Sequence, residues 1–280
     1  VIAKKLHDKV FYYENVIENP KDLIEKIEST EFSEEFFPIF TKWIEWNVDS
    51  DRGSYIVYGK KKMCKLNDTS KLRHSDSNIA SELVNTDPDI INRAEYIIET
   101  INSAMENVCN DYKKQIGIDD DVVVLRNVGI HKYKAGTWMG THYDSQEGDT
   151  RLKYSLVLYL NDDYEGGELS FTIKDGVLSN PDNGFPDNPW NHLSILDESG
   201  GGKYALDDDL QNPKNKDLID FYVKPKAGSC IIFPSQEPYS HTAHLVKSGW
   251  KYMVPGFWIN PDGMDSVSQN SNSNVDYSQL

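Results

Sequence analysis

The chain reads as an α+β fold, mainly β: a sheet sandwich or jelly roll buttressed by N-terminal helices. Three observations predict it. Helical spacing of apolar residues is confined to the front 120 residues, short runs rich in Val, Ile, Tyr and Phe dominate from Asp121 onward, and Asn/Asp/Gly clusters separate most of those runs. The expected organisation is a helical support region at 1–120 packed on a β-rich core at 121–262. An insertion interrupts the core at 172–219, and a disordered tail follows at 263–280.

In the support region, Asn19 and Pro20 open a helix with Leu23, Ile24 and Ile27 at helical spacing. Pro is tolerated there because the first-turn N–H has no helical partner in any case. Residues 36–48 stay apolar but contain Pro38, and residues 55–58 form a short β-like core between Gly53 and Gly59. The best helix spans 88–117: Ile91, Ala94, Ile97, Ile98, Ile101 and Met105 follow one face, and Gly117 supplies the stop.

The core contributes DVVVLRNVGIHKY, RLKYSLVLYLN, GGELSF, DFYVKPKAGSCIIF and KYMVPGFWI as strand segments. The insertion carries NPDNGFPDNPWNH and DESGGGKYALDDD, and a loop that long is expected to be a lid or a linker. After Asp262 the chain is Ser/Asn-rich and is expected to be disordered.

Composition narrows the function classes. With 45 acidic against 29 basic residues the formal charge is −16, so nucleic acid would be repelled over most of the surface. An anionic small molecule needs a buried cation to overcome that field. The three cysteines are odd in number and far apart, which suggests neither a disulfide framework nor a zinc knuckle. No apolar run approaches the roughly 18 residues of a membrane span, and the start VIAKKLHDKVFYYENV is too charged for a signal peptide. A cytoplasmic protein with no membrane partner is the expectation.

Seven histidines are present, and His7, His74, His131 and His192 have no recognisable company. His142 and Asp144 differ: on an extended segment, residues two apart leave the same face and can chelate one ion. A third ligand must come from FPSQEPYSHTAHLVKSGWKY, which holds His241, His244 and, ten residues after His241, Lys251. Two imidazoles and one carboxylate leave adjacent positions open, which suits non-haem Fe(II) with a chelating cosubstrate and then dioxygen. Lys251 supplies the cation for the far carboxylate of a dicarboxylic 2-oxo acid. The same three ligands also make a zinc hydrolase set, but no general base of the H-E-x-x-H kind accompanies them.

Taken together, YKAGTWMGTHYD (133–144), SLVLYLNDDYEGGELSF (155–171), GSCIIFPS (228–235) and HTAHLVKSGWK (241–251) resemble the Fe(II)- and 2-oxoglutarate-dependent dioxygenases of the prolyl 4-hydroxylase type. The resemblance covers roughly residues 121–260, in order and with near-family spacing. It implies a double-stranded β-helix core, with His142, Asp144 and His241 as iron ligands and Lys251 as partner of the 2-oxoglutarate C5 carboxylate. It further implies cosubstrate contacts from Tyr133 and Tyr159. Ser155 stands where the family often has Thr, and Arg151 lies close to a family Arg at the substrate mouth, one residue out of register. His241 alone has the ten-residue offset to Lys251, so His244 reads as a neighbour that faces the other way. Tyr133 and Tyr159 also fit as core aromatics, and Phe257 and Trp258 fit either the substrate side or the core.

The implied activity is hydroxylation of a peptide, protein or small-molecule substrate, with prolyl residues first. It uses Fe(II), 2-oxoglutarate and O2, with ascorbate as reductant, and releases succinate. The same chemistry on another side chain, and a catalytically silent β-helix binding module, are the rival readings. Retention of Asp144 argues against a halogenase. Gly166-Gly167 reads as a hairpin turn, the acidic run 207–209 as a solvated edge, and Asn67-Asp68-Thr69 as a glycosylation pattern without other signs of secretion.

Overall fold

The chain begins with a hairpin, β1 (Ile2–His7) and β2 (Val10–Glu14), followed by helix α1 (Pro20–Ser29). Three short strands come next, β3 (Ile44–Trp46), β4 (Val57–Tyr58) and β5 (Lys61–Leu66), and then the long helix α2 (Pro88–Ile116). The core strands are β6 (Val128–Lys134), β7 (Trp138–His142), β8 (Leu152–Tyr159), β9 (Glu165–Gly166) and β10 (Leu169–Thr172). The insertion forms two small hairpins, β11 (Leu178–Asn180) with β12 (Phe185–Asp187) and β13 (Ser194–Leu196) with β14 (Gly202–Tyr204). The chain closes with β15 (Phe221–Val223), β16 (Ser229–Pro234), β17 (Ser240–Ala243), β18 (Val246–Ser248) and β19 (Trp250–Ile259). This computed structural model describes residues 2–29, 44–46, 57–58, 61–66, 88–124, 128–145, 151–173, 178–180, 185–187, 194–196, 202–204 and 219–260. His74, His192, Pro38, the Asn67 pattern, the acidic run 207–209 and the tail at 263–280 lie outside them.

An eight-stranded antiparallel sheet runs β1-β2-β16-β8-β19-β6-β5-β3, and a five-stranded sheet runs β15-β10-β17-β7-β4. Alternate residues of each central strand face opposite ways. On one face Tyr13, Leu156, Leu158, Cys230, Ile232, Val254 and Trp258 join Leu23 and Ile27 of α1 and Ile97, Ile101, Met105 and Val108 of α2 in a single buried cluster. On the other face Tyr12, Val157, Tyr159, Ile231, Phe233 and Met253 meet Leu169, Phe171 and Ala243 of the smaller sheet. Helices, large sheet and small sheet therefore form three layers, and the site lies between the two sheets.

Helix ends follow local rules. The Asp22 N–H donates to Asn19 Oδ1 at 3.4 Å ahead of Pro20, so Asn19 caps α1. Gly117 adopts φ +71° after α2, and Ile118 N donates back to Lys113 O at 3.2 Å, the paired closure that left-handed glycine permits. The Glu28 carboxylate ties α1 to the sheet, accepting from the Tyr252 hydroxyl at 2.7 Å and from Lys132 Nζ at 2.8 Å.

The front third is not helical throughout. Its described residues add β1, β2, β3 and β5 to the large sheet and β4 to the small one, with β2 paired directly to β16. Residues 10–13 are buried on both faces, between the helix-side cluster and the sandwich interior, so no polar alternation marks them as a strand.

Candidate active site

Strand β7 delivers His142 and strand β17 delivers His241, and the two residues are direct partners in the β7–β17 register. The ring of His142 lies outside the described side chains. β7 ends at His142, so Asp144 sits in the bend beyond it and not on a continuing strand. The bend is pinned by two backbone bonds, as Asp144 N and Ser145 N both donate to Ser235 O at 3.1 and 3.0 Å. Asp144 Oδ2 then lies 3.7 Å from His241 Nε2, too long for a hydrogen bond. His241 Nδ1 donates to Tyr239 O at 3.3 Å, which leaves the Nε2 lone pair facing Asp144. Phe233 edges onto the same ring at 4.6 Å between centroids. The described side chains alone form no group of three metal ligands. An imidazole nitrogen facing a largely buried carboxylate supplies two donors of a kind that suits Fe(II), and the backbone register sets residue 142 across from His241.

Lys251 is 1% exposed on β19, and its Nζ donates to Gly167 O at 2.6 Å. Burial pulls its pKa down to about 7, helped by Lys224 and opposed by Glu168. Its ammonium lies 5.2 Å from the Tyr159 ring centroid and 5.9 Å from that of Tyr164. Asn161, two residues after Tyr159, holds both neighbours of Lys251: Tyr252 N donates to Asn161 Oδ1 at 2.7 Å, and Asn161 Nδ2 donates to Trp250 O at 2.6 Å. The YLN motif is thus a backbone clamp that aims the lysine.

Tyr133 links the two ends. It is the cross-strand partner of Lys251, and its phenol is held protonated first by burial and then by the charge of Asp144. Tyr159 is likewise buried, opposite Met253, with its pKa raised by burial and by Tyr164. Ser155 lies four residues from Tyr159 on the same face, about 13 Å along the strand. Its Oγ is 2.8 Å from Ser235 Oγ, so it belongs to the loop that pins Asp144 and not to the lysine end.

Trp258 does not line the site. It is fully buried in the helix-side cluster, its Nε1 donates to Asp121 O at 3.0 Å, and its ring meets Tyr154 at 5.0 Å. Seven residues separate it from Lys251, and an odd offset along one strand means the opposite face. Phe257 has the even offset and pairs with Ser155, and it is buried in a separate small cluster with Leu152 and Ile259. Arg151 stands at the start of β8, where its carbonyl accepts from Asn260 N at 2.8 Å. Beside it an open groove of about 470 Å³ is walled by Lys153, Pro234, Gln236, Tyr239 and Asn260 among others.

His244 faces away from His241, as its spacing suggests. Its Nε2 is 2.7 Å from Ser170 Oγ, and burial followed by the Lys251 charge pushes its pKa down to about 3, so it is neutral. Tyr143 also leaves the metal side, with its hydroxyl buried beside Ser240 and Glu237. His7 stacks on Phe221 at 5.9 Å. Two residues near Lys251 and Tyr133 carried no sequence signal, His131, stacked on Tyr133 at 6.3 Å, and Tyr164, whose ring centroid lies 5.9 Å from Lys251 Nζ; Gly167, read as part of a turn, gives its carbonyl to Lys251. Gly166-Gly167 is more than a hairpin turn, since Gly166 pairs with Val246 of β18.

Cys109 and Cys230 are buried free thiols. Among the described residues no helix is long and apolar enough to cross a membrane.

Residues 128–260 match the family model of the 2OG-Fe(II) oxygenase superfamily. No curated protein matches the chain. Among solved structures, a Trichoplax adhaerens prolyl hydroxylase in complex with a hypoxia inducible factor oxygen degradation domain peptide fragment aligns with TM-score 0.51 at 10% identity, covering 94% of this chain and 88% of that one. A Pseudomonas putida prolyl-4-hydroxylase aligns at TM-score 0.38 and 14% identity over 75% of each chain. The viral collagen prolyl hydroxylase of Paramecium Bursaria Chlorella virus-1 aligns at TM-score 0.34 and 19% identity, over 58% of this chain and 68% of that one. The match over residues 128–260 supports a 2OG-Fe(II) oxygenase domain of the 2-oxoglutarate-dependent dioxygenase kind, and the chain has the fold of the Trichoplax prolyl hydroxylase.

Proposed function

We propose that the protein hydroxylates a prolyl residue of a peptide or protein, coupled to decarboxylation of 2-oxoglutarate to succinate. The observation that carries the reading is a buried lysine and a His–Asp pair facing one inter-sheet space, bridged by Tyr133. His142, Asp144 and His241 hold Fe(II), which supplies the activation of dioxygen when bound. Lys251 receives the C5 carboxylate, exchanging its bond to the Gly167 carbonyl for a charged partner. Tyr133 and Tyr159 flank the cosubstrate and exclude water, while Ser155 steadies the Ser235 loop behind Asp144. The groove beside Arg151 is open enough for an extended peptide, in keeping with the peptide bound to the Trichoplax relative.

The test is incubation with Fe(II), ascorbate, 2-oxoglutarate and proline-containing peptides, read by mass spectrometry. The expected product carries one added oxygen on proline and appears with an equal amount of succinate. Consumption of 2-oxoglutarate in a cell lysate with every proline peptide unmodified would move the substrate to another side chain or a small molecule.

A further inference from the structure

The groove beside Arg151 is built where several elements end together: Lys9 in the β1–β2 turn, Tyr154 at the start of β8, Pro234 and Tyr239 on either side of the β16–β17 link, and Asn260 just past β19. Ser235, inside that link, joins the groove to the loop that carries Asp144. Its N–H donates to the carbonyl of Lys153, a wall residue, at 3.2 Å, and its own carbonyl receives Asp144 N and Ser145 N.

Three donors in the lining are uncommitted among the described residues. The hydroxyls of Tyr154 and Tyr239 have no hydrogen-bond partner there, and the Lys9 ammonium has no acidic one; Lys9 is engaged through its carbonyl, which accepts from the Tyr112 hydroxyl at 2.9 Å. Burial raises both groove phenols, with Asp120 and then Tyr239 adding at Tyr154 and Asp8 adding at Tyr239, so both stay protonated and donate. The Tyr154 ring is fixed between Tyr112 and Trp258, each at 5.0 Å between centroids. Charge does not make this an anion site. Glu237 in the lining, Asp8 beside Tyr239 and Asp120 on Lys153 at 2.7 Å offset the two lysines. Neutral donors spread over separate elements suit a row of neutral acceptors instead. Main-chain carbonyls of an extended segment are such a row, recurring about every 3.3 Å with no partner of their own.

We propose that the groove is a second holding site for the substrate polypeptide, where Tyr154, Tyr239 and Lys9 donate to main-chain carbonyls of an extended segment several residues from the hydroxylated one. This rests on the peptide or protein substrate of the proposed function, and it makes the enzyme selective for substrate length more than for the side chains of the flanking segment.

The probes are the capped tripeptide Ala-Pro-Gly and the same tripeptide extended at one end or the other by about six alternating Ala and Ser residues, ~20 Å of extended chain. Binding to the protein loaded with Fe(II) and 2-oxoglutarate is read without oxygen by fluorescence anisotropy of labelled peptides, and product by mass spectrometry once oxygen is admitted. One of the two extended peptides should bind at least tenfold more tightly than the tripeptide. Tyr154→Phe and Tyr239→Phe keep the rings and remove one donor each. Each should weaken that extended peptide by roughly two- to tenfold, the scale of one hydrogen bond, while the tripeptide binds alike in all three proteins. Extensions that bind no better than the tripeptide, or variants that lose tripeptide and extended peptide equally, overturn the proposal. Extended peptides bound as expected but never oxidised support the groove and count against the hydroxylase reading.

Discussion

The two faces of β19 carry different duties, although their residues alternate one by one. Lys251 and Met253 look into the space between the sheets, whereas Tyr252, Val254 and Trp258 pack against α1 and α2. The inward face presents a buried cation, a group that costs stability and repays it only when an anion arrives. The outward face is apolar, apart from the phenol that Glu28 receives. A shift of one residue along the strand thus separates binding from stability.

The sharpest way to break this division is to truncate each face in turn. Trp258→Ala should cost about 3–5 kcal/mol of unfolding free energy, the range for a fully buried aromatic, while the folded fraction binds 2-oxoglutarate as wild type does. Denaturant melts and a cosubstrate titration read the two quantities separately. Lys251→Met should do the opposite: affinity for 2-oxoglutarate falls by about 2–5 kcal/mol, the cost of removing one partner of a buried charged pair, with no loss of stability in the ligand-free protein. If Trp258→Ala weakened binding as much as Lys251→Met, the two faces would not be independent.

Asn161→Ala sits between these cases because Asn161 holds the backbone on both sides of Lys251. It leaves the buried Tyr252 N–H without its acceptor, so a stability loss of about 1–3 kcal/mol is expected together with a weaker grip on 2-oxoglutarate. A pure stability defect would reduce Asn161 to scaffolding.

The smallest effect is a slope with pH. Lys251 in the folded protein titrates at about 7, below its unfolded value, so between about pH 7 and 10 the unfolded chain binds the extra proton. Stability relative to Lys251→Met should therefore be lowest below pH 7 and rise above it, by up to about 1.4 kcal/mol per unit. Binding of 2-oxoglutarate needs the charged lysine, so affinity should fall above pH 7. A flat difference between the two proteins across that window would contradict a desolvated Lys251.

Much of the site was legible because its spacing is local or fixed by one strand. H-x-D at 142–144, the ten-residue step from His241 to Lys251, and the YLN and GGE runs all survive as sequence patterns. Strand parity could have taken Trp258 off the lysine's face, since it lies an odd number of residues from Lys251. Tyr164 could not be found this way: its neighbours Tyr133 and Val246 lie 31 and 82 residues distant in the chain, and only the fold joins them. The strand at 10–14 was hidden for another reason, burial on both faces, which erases the alternation that marks a strand. The helix at 88–116 was plain because one face is apolar and the other polar, with a glycine stop.

The central claim is that His142, Asp144 and His241 hold one Fe(II) to which 2-oxoglutarate binds. Anaerobic optical titration of wild type, His142→Ala, Asp144→Ala and His241→Ala tests it most directly. Wild type should show a chelate band at one iron and one 2-oxoglutarate per chain, with metal affinity in each variant reduced by more than the roughly 100-fold that loss of a supporting group costs. A wild type without the band, or any of the three variants retaining it in full, would contradict the account.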